Sequence, residues 1–398
     1  MDVCSSQRGA RQLGNEATDD TAARLLPHKL VELLGYLGGV EPGAREVFLG
    51  DVGFPLVPDA VDAAGVHGAY LARRWPGMHP DLLPFAVDSC GNRFCLVRGV
   101  GATNPERFPV AWWMYETYRA VPIASSFDRF LDWVGLSSAL SAQRLVNPLT
   151  TAEHHARVVQ PALEAMGVRR DFDALTASRA APLGSLGLGM MRVDPGSAGA
   201  RVLAAERALQ QGRTRDAARH AEAALEAFPE FLAARWFLSG LDLPWRQEAE
   251  LTELTRSLLT TPWLWQGDGF MPEFGEIPSA TPQELVARVT QQLAPSECDE
   301  DPAVAAAWYD DPMAPLTWLR VAVEVAELGD PTRAIGVATN ALFLSRGVQD
   351  RLDALSLLDE LYDAVDATWH RAVILEDAAR SVAARPRSGR DGRSPERP

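Results

Sequence analysis

Hydrophobic positions along the chain change their spacing twice, and each change marks a different kind of structure. Leu25, Leu26, Leu30, Val31, Leu33, Leu34 and Leu37 recur at helical intervals, and Gly38-Gly39 stops the run. After it the chain breaks into short apolar segments punctuated by Gly and Pro. LLPFAV, RFCLV and PVAWWMY have the length and composition of strands. Gly91-Asn92 lies between the first two and predicts a turn. In SSFDRFLDWVGL, Phe127, Phe130, Leu131 and Val134 share one helical face. Ser125 is the expected cap, with Asp128 three residues on, and Gly135 the expected end. Helix, strands, helix makes an α+β N-terminal domain.

The second change comes near residue 198, where the chain turns Ala- and Leu-rich and helical to about residue 384. Between the two regions, a helix is expected over roughly 151–166, and APLGSLGLGMMRVDPGSAG reads as a linker. The expected organisation is a disordered leader at 1–20, an α+β domain at 21–145 and a helix plus Gly/Pro-rich linker at 146–197. An all-α array at 198–384 and a disordered basic tail at 385–398 follow. A Pro-rich interruption at about 260–315 rules out one long helix there.

Within the array, residues 200–231 read as a helix pair. Gly212 supplies the turn, Ala217, Ala221 and Ala224 the close crossing, and Pro229 the end. Small residues suit such a crossing because a bulky side chain would push the helices apart. A second unit begins at Trp318, with Val321, Ala322 and Val325, a turn at Gly329, then Ala334, Ala338 and Ala341. Both units resemble tetratricopeptide repeats, although Arg346 stands where the second closing proline would be. That resemblance implies a helical-hairpin array with a peptide-binding concave face.

Charge sharpens the picture. The net charge is −15 over 398 residues. Residues 1–145 hold 13 basic against 16 acidic side chains, whereas 146–382 hold 20 against 35, so the acidity sits in the helical region. An acidic body argues against nucleic acid, which needs a cationic face. It suits a basic protein partner. The interruption at 262–312 carries ten acidic residues against Arg288 alone, among aromatics. Trp263, Trp265, Asp299, Glu300, Asp301, Trp308 and Tyr309 are therefore candidate partner contacts, with carboxylates steering and aromatics anchoring. The competing role for these Trp residues is core packing.

The chemistry of catalysis is missing. No HExxH, GxSxG or phosphate-loop pattern occurs, and GVGATN and GLGMM lack the remainder of a nucleotide motif. His28, His67, His79, His220 and His370 are isolated, and His154-His155 lacks metal-ligand spacing. Cys4, Cys90, Cys95 and Cys298 are scattered, which fits a reducing compartment. Neither an apolar N-terminal core nor a spanning segment is seen, so a cytoplasmic protein without membrane contact is expected. No catalytic residue, metal or cofactor is expected. Arginine almost wholly replaces lysine, Lys29 being the lone lysine, as in GC-rich bacterial genomes.

Three segments of the first domain carry a family resemblance. They are LLPFAVDSCGNRFCLV (82–97), PVAWWMYE (109–116) and IASSFDRFLDWV (123–134). In order and spacing they resemble the SUKH superfamily, although Met114 and Tyr115 stand where that family has Asp and His. The resemblance implies a SUKH-like small sheet flanked by helices and a non-enzymatic binding role. Many bacterial members look like immunity proteins that neutralise a cognate toxin; others look like regulatory scaffolds. It singles out Asp88, Asn92, Trp113, Tyr115 and Glu116 as an exposed binding edge. The expected function is toxin neutralisation, the alternative a peptide-binding adaptor.

Overall fold

The structure is a computed structural model that describes residues 26–56, 63–75, 78–144, 152–172, 185–267, 274–294 and 301–383. The expected leader and tail lie outside these residues. An α+β region is followed by an all-helical one, as the hydrophobic pattern predicts.

Helix α1 (His28–Val40) buries Leu30, Leu33 and Leu37. Six strands then form one antiparallel meander, each pairing with its neighbour in sequence. They are β1 (Glu46–Leu49), β2 (Val52–Pro55), β3 (Leu82–Asp88), β4 (Arg93–Val97), β5 (Val110–Met114) and β6 (Arg119–Ala124), with helix α2 (Ala63–Leu71) between β2 and β3. The sequence reading caught β3, β4 and β5 but not β1, β2 or β6. The first two are four residues each, too short to show a period.

Strand alternation sends Phe94 and Trp112 to one face and Cys95 and Trp113 to the other. On the first face lies α3 (Phe127–Arg144), whose Phe127, Phe130 and Trp133 meet the sheet's aromatics. Phe85 and Phe130 pack edge-on at 5.2 Å, and Phe94 lies 5.1 Å from Trp133. Two local expectations are corrected. Ser126, not Ser125, accepts the N–H of Arg129 at 3.3 Å, while Ser125 donates both N–H and Oγ–H to Asp194, each at 2.7 Å. Gly135 does not end α3; a Cβ there would lie 2.3 Å from the Phe172 ring, so the glycine serves close packing.

Beyond α3 come short helical segments α4 (Ala152–His154) and α5 (Gln160–Ala165), joined by a π-helical stretch His155–Val159. The supposed linker is partly helix: α6 (Ser185–Val193) buries Leu186 and Met190. Its glycines permit contact rather than flexibility, since a Cβ on Gly187 would meet the Phe274 carbonyl oxygen at 2.5 Å.

The helical region continues with α7 (Ala198–Gln210), α8 (Thr214–Ala227), α9 (Leu232–Ser239), α10 (Glu248–Thr260) and α11 (Pro282–Gln292). It ends with α12 (Pro302–Tyr309), α13 (Pro315–Glu327), α14 (Pro331–Leu344), α15 (Val348–Ala364) and α16 (Thr368–Ala383). Gly212 and Gly329 sit at positive φ, +72° and +90°, just past α7 and α13, where a left-handed residue closes a helix. The alanines at 217, 221, 224, 334, 338 and 341 are all fully buried at the crossings. Three prolines of the interruption begin helices: Pro282, Pro302 and Pro315 occupy first turns, where no N–H is needed. Among the described residues no helix is long and apolar enough to cross a membrane.

The two regions share one continuous core. The open edge of β6 is closed by the segment after α10: the Ala120 N–H donates to the Leu264 carbonyl at 2.7 Å. Ser197 caps α7 and donates its hydroxyl to the Ile123 carbonyl at 2.7 Å. Covering an edge in this way satisfies backbone groups that would otherwise template aggregation.

Candidate functional site

Of the residues expected to form a binding edge, Asp88 and Trp113 are buried, while Asn92, Tyr115 and Glu116 keep accessible surface. Asp88 is buried and fully engaged within the β3–β4 turn. Its Oδ1 accepts from the Cys90 and Asn92 N–H groups, and its Oδ2 from Asn92 Nδ2 and Trp112 Nε1, all at 2.9 Å. Asn92 accepts from the Tyr115 N–H at 3.4 Å. Trp113 is buried, its ring edge-on to that of Tyr118 at 5.8 Å. Tyr115 is half-buried, like Asn92, and donates to the exposed Glu116 at 2.9 Å.

The second group also disperses. Trp263 and Trp265 are fully buried. Trp263 is pinned by the Asn340 side-chain oxygen, which accepts its N–H at 2.7 Å. Asp301 is buried, caps α12 and pairs with Arg333. Trp308 is half-buried and Tyr309 exposed. Asp299 and Glu300 lie outside the described residues.

What the structure gathers instead is a polar cluster at the seam between the sheet and the last two helices. Arg74, just after α2, is fully buried and bonds to Asp377 of α16 at 2.9 Å. Its guanidinium also donates to the carbonyls of Met78 and His79, at 2.8 and 3.0 Å, and to that of Leu82. Asp81, just before β3, stands beside the imidazoles of His79 and His370. Asp81 Oδ1 lies 3.1 Å from His370 Nε2. That nitrogen is aimed at the Arg98 carbonyl, 2.8 Å away, so Oδ1 keeps an ion-pair distance without a hydrogen bond. The Tyr362 ring stacks on His370 at 4.8 Å, and the Arg98 guanidinium lies 4.9 Å above Trp369.

The electrostatics follow from burial. His79 Nδ1 accepts the Asp81 N–H at 3.1 Å, and desolvation lowers its pKa to about 4. The ring is thus neutral at pH 7, and that hydrogen bond assigns its proton to Nε2, which has no acceptor. Burial opposes charge on Asp81, but His79, His370 and Arg74 outweigh it and hold the carboxyl below its usual range. Burial, with Asp81 second, pushes the Tyr362 phenol well up.

Glu230, in the α8–α9 turn, faces the same cluster. Burial and the charge of Asp81 raise its pKa to about 7. The residue itself keeps much accessible surface. The Trp265 indole N–H is close enough to favour its charge but falls short of hydrogen-bond geometry. The Tyr362 hydroxyl faces Asp81 in the same unclosed way.

Chemically, the cluster offers a carboxyl that titrates near neutrality and several unpartnered donors. Among the described residues no group of three His, Cys, Asp or Glu could hold a metal ion. Sequence reasoning passed over His79 and His370 because each is solitary in the chain; no spacing signal links them. Cys90 is exposed and Cys95 buried, both as free thiols.

No protein-family model matches the chain, and no curated protein is similar to it. The SUKH resemblance therefore rests on the segments at 82–97, 109–116 and 123–134.

Proposed function

We propose that this is a non-catalytic binding protein that captures and neutralises a basic protein toxin, as immunity proteins do. The observation that carries the reading is uncompensated negative charge on the helical region. Asp242, Glu248, Glu250, Glu327 and Glu360 are exposed and make no side-chain hydrogen bond or ion pair. Such a surface accelerates association with a cationic partner and makes it salt-sensitive. The three SUKH-like segments support the reading, since they form adjacent strands and the helix packed on them.

The test is co-purification of the full chain from lysate of its native host at low and moderate salt. The full chain is needed because the core is continuous across both regions. One stoichiometric basic partner, whose toxic activity the protein suppresses, is the expected result. The helical hairpins favour a second reading, a peptide-binding adaptor. Several substoichiometric partners with no suppressed activity would replace the first reading with that one.

A further inference from the structure

On this acidic protein, one cleft is cationic. It has a volume of about 400 Å³ and is lined by Arg45, Arg73 and Arg93, with Glu46, and floored in part by Pro84 and Phe85. Strand geometry opens it. β2 pairs with β3 only at Val52–Asp88 and Gly53–Val87, so Phe54 and Pro55 part from β3. On the other side of β3 the register with β4 shifts between Pro84 and Ala86, leaving Phe85 as a bulge residue. Bulges re-aim strands and recur beside functional sites.

Two of the three guanidiniums are not occupied by the protein. Arg45 and Arg73 are exposed and make no side-chain hydrogen bond or ion pair, and neither does Glu46. Arg93 bonds only to the Gly91 carbonyl, at 3.1 Å. Three guanidiniums facing one carboxylate leave two positive charges uncompensated. Gathering like charges in one cleft is unfavourable unless an anion joins them.

We infer that this cleft binds a small ligand through a phosphate group. A dianion matches the two uncompensated charges, where a single carboxylate would leave one. Arginine forks bond phosphate oxygens in parallel pairs, a geometry lysine cannot reproduce. The cleft's size is in the range of small-molecule sites. The inference is independent of the proposed toxin partner, which would engage the acidic helices.

The experiment is isothermal titration of the full-length protein with inorganic phosphate and with phenyl phosphate, acetate serving as the monoanion control. Arg45→Gln, Arg73→Gln, Arg73→Lys and, away from the cleft, Arg207→Gln are compared, with circular dichroism confirming each fold. Expected are saturable phosphate binding, a loss of roughly ten- to a hundredfold in Arg45→Gln and Arg73→Gln, and no change in Arg207→Gln. Arg73→Lys should recover part of the affinity. Tighter binding of phenyl phosphate would place the ligand's organic part in the cleft; equal binding would make free phosphate the ligand. No saturable phosphate binding, acetate binding as well as phosphate, or equal losses in Arg207→Gln would overturn the inference.

Discussion

Arg74 and Asp377, 303 residues apart in the chain, meet in a buried ion pair that joins the sheet region to the last helix. Removing one partner strands the other charge in the core. Asp377→Ala is expected to destabilise the protein by about 3–5 kcal/mol. Arg74→Met should cost at least as much, since the carbonyls of Met78, His79 and Leu82 also lose their donor, and Arg74→Met with Asp377→Ala should cost less than the sum of the two single changes. Urea midpoints of the three variants decide it; additive losses would refute the ion-pair account.

The raised carboxyl of Glu230 links stability to pH with a definite sign. Its pKa is about 7 in the folded protein against an ordinary 4.5, so the folded state binds the proton more tightly. Its contribution is present at low pH and lost as pH rises from 4.5 through 7. Glu230→Gln should therefore gain on the wild type between pH 5 and pH 8. Unfolding midpoints across that range would show it, and parallel profiles would exclude it.

The imidazoles act in the opposite sense. Burial, helped by Arg98, lowers the His67 pKa to about 4, and burial lowers that of His79 equally, from 6.5. The unfolded chain then binds more protons between pH 4 and 6.5, and stability falls as pH drops through that window. Each site contributes on the order of 3 kcal/mol of loss once pH is below 4. His67→Asn and His79→Asn should flatten the acid limb of the stability curve. An unchanged slope between pH 6.5 and 4 would contradict the assignment.

Two glycines separate helix propensity from packing. Gly38 lies in α1 with open space at its Cβ position, so Gly38→Ala should stabilise by about 0.5–1 kcal/mol. At Gly336 of α14 a Cβ would sit 2.1 Å from the Thr260 carbonyl oxygen. Gly336→Ala should instead destabilise by about 1–3 kcal/mol despite the same propensity gain. Thermal midpoints that move in the same direction for both would show that α14 does not abut the end of α10.

Local order was legible wherever a repeat of side chains was long enough to read. The runs at 82–97 and 109–114 showed strands, the aromatic face at 127–134 showed a helix, and Gly212 and Gly329 showed the hairpin turns. β1 and β2 were hidden by their shortness, and α6 by glycines that imitate a linker. Among the expected partner contacts, Trp263, Trp265 and Asp301 have surface chemistry available to them but are buried against elements distant in sequence, beside Asn340, Ala120 and Arg333.

The amino-acid sequence by itself determined the succession of an α+β region and an all-helical one, because spacing of apolar residues and turn chemistry act over a few positions. It also determined the acidity of the helical region. Only the tertiary structure decided which face of the sheet is covered, that β6 has no free edge, and that His79, Asp81, Glu230, Tyr362 and His370 converge. Those outcomes depend on one shared core docking the last helices onto the sheet, and no local periodicity encodes which distant surfaces will meet.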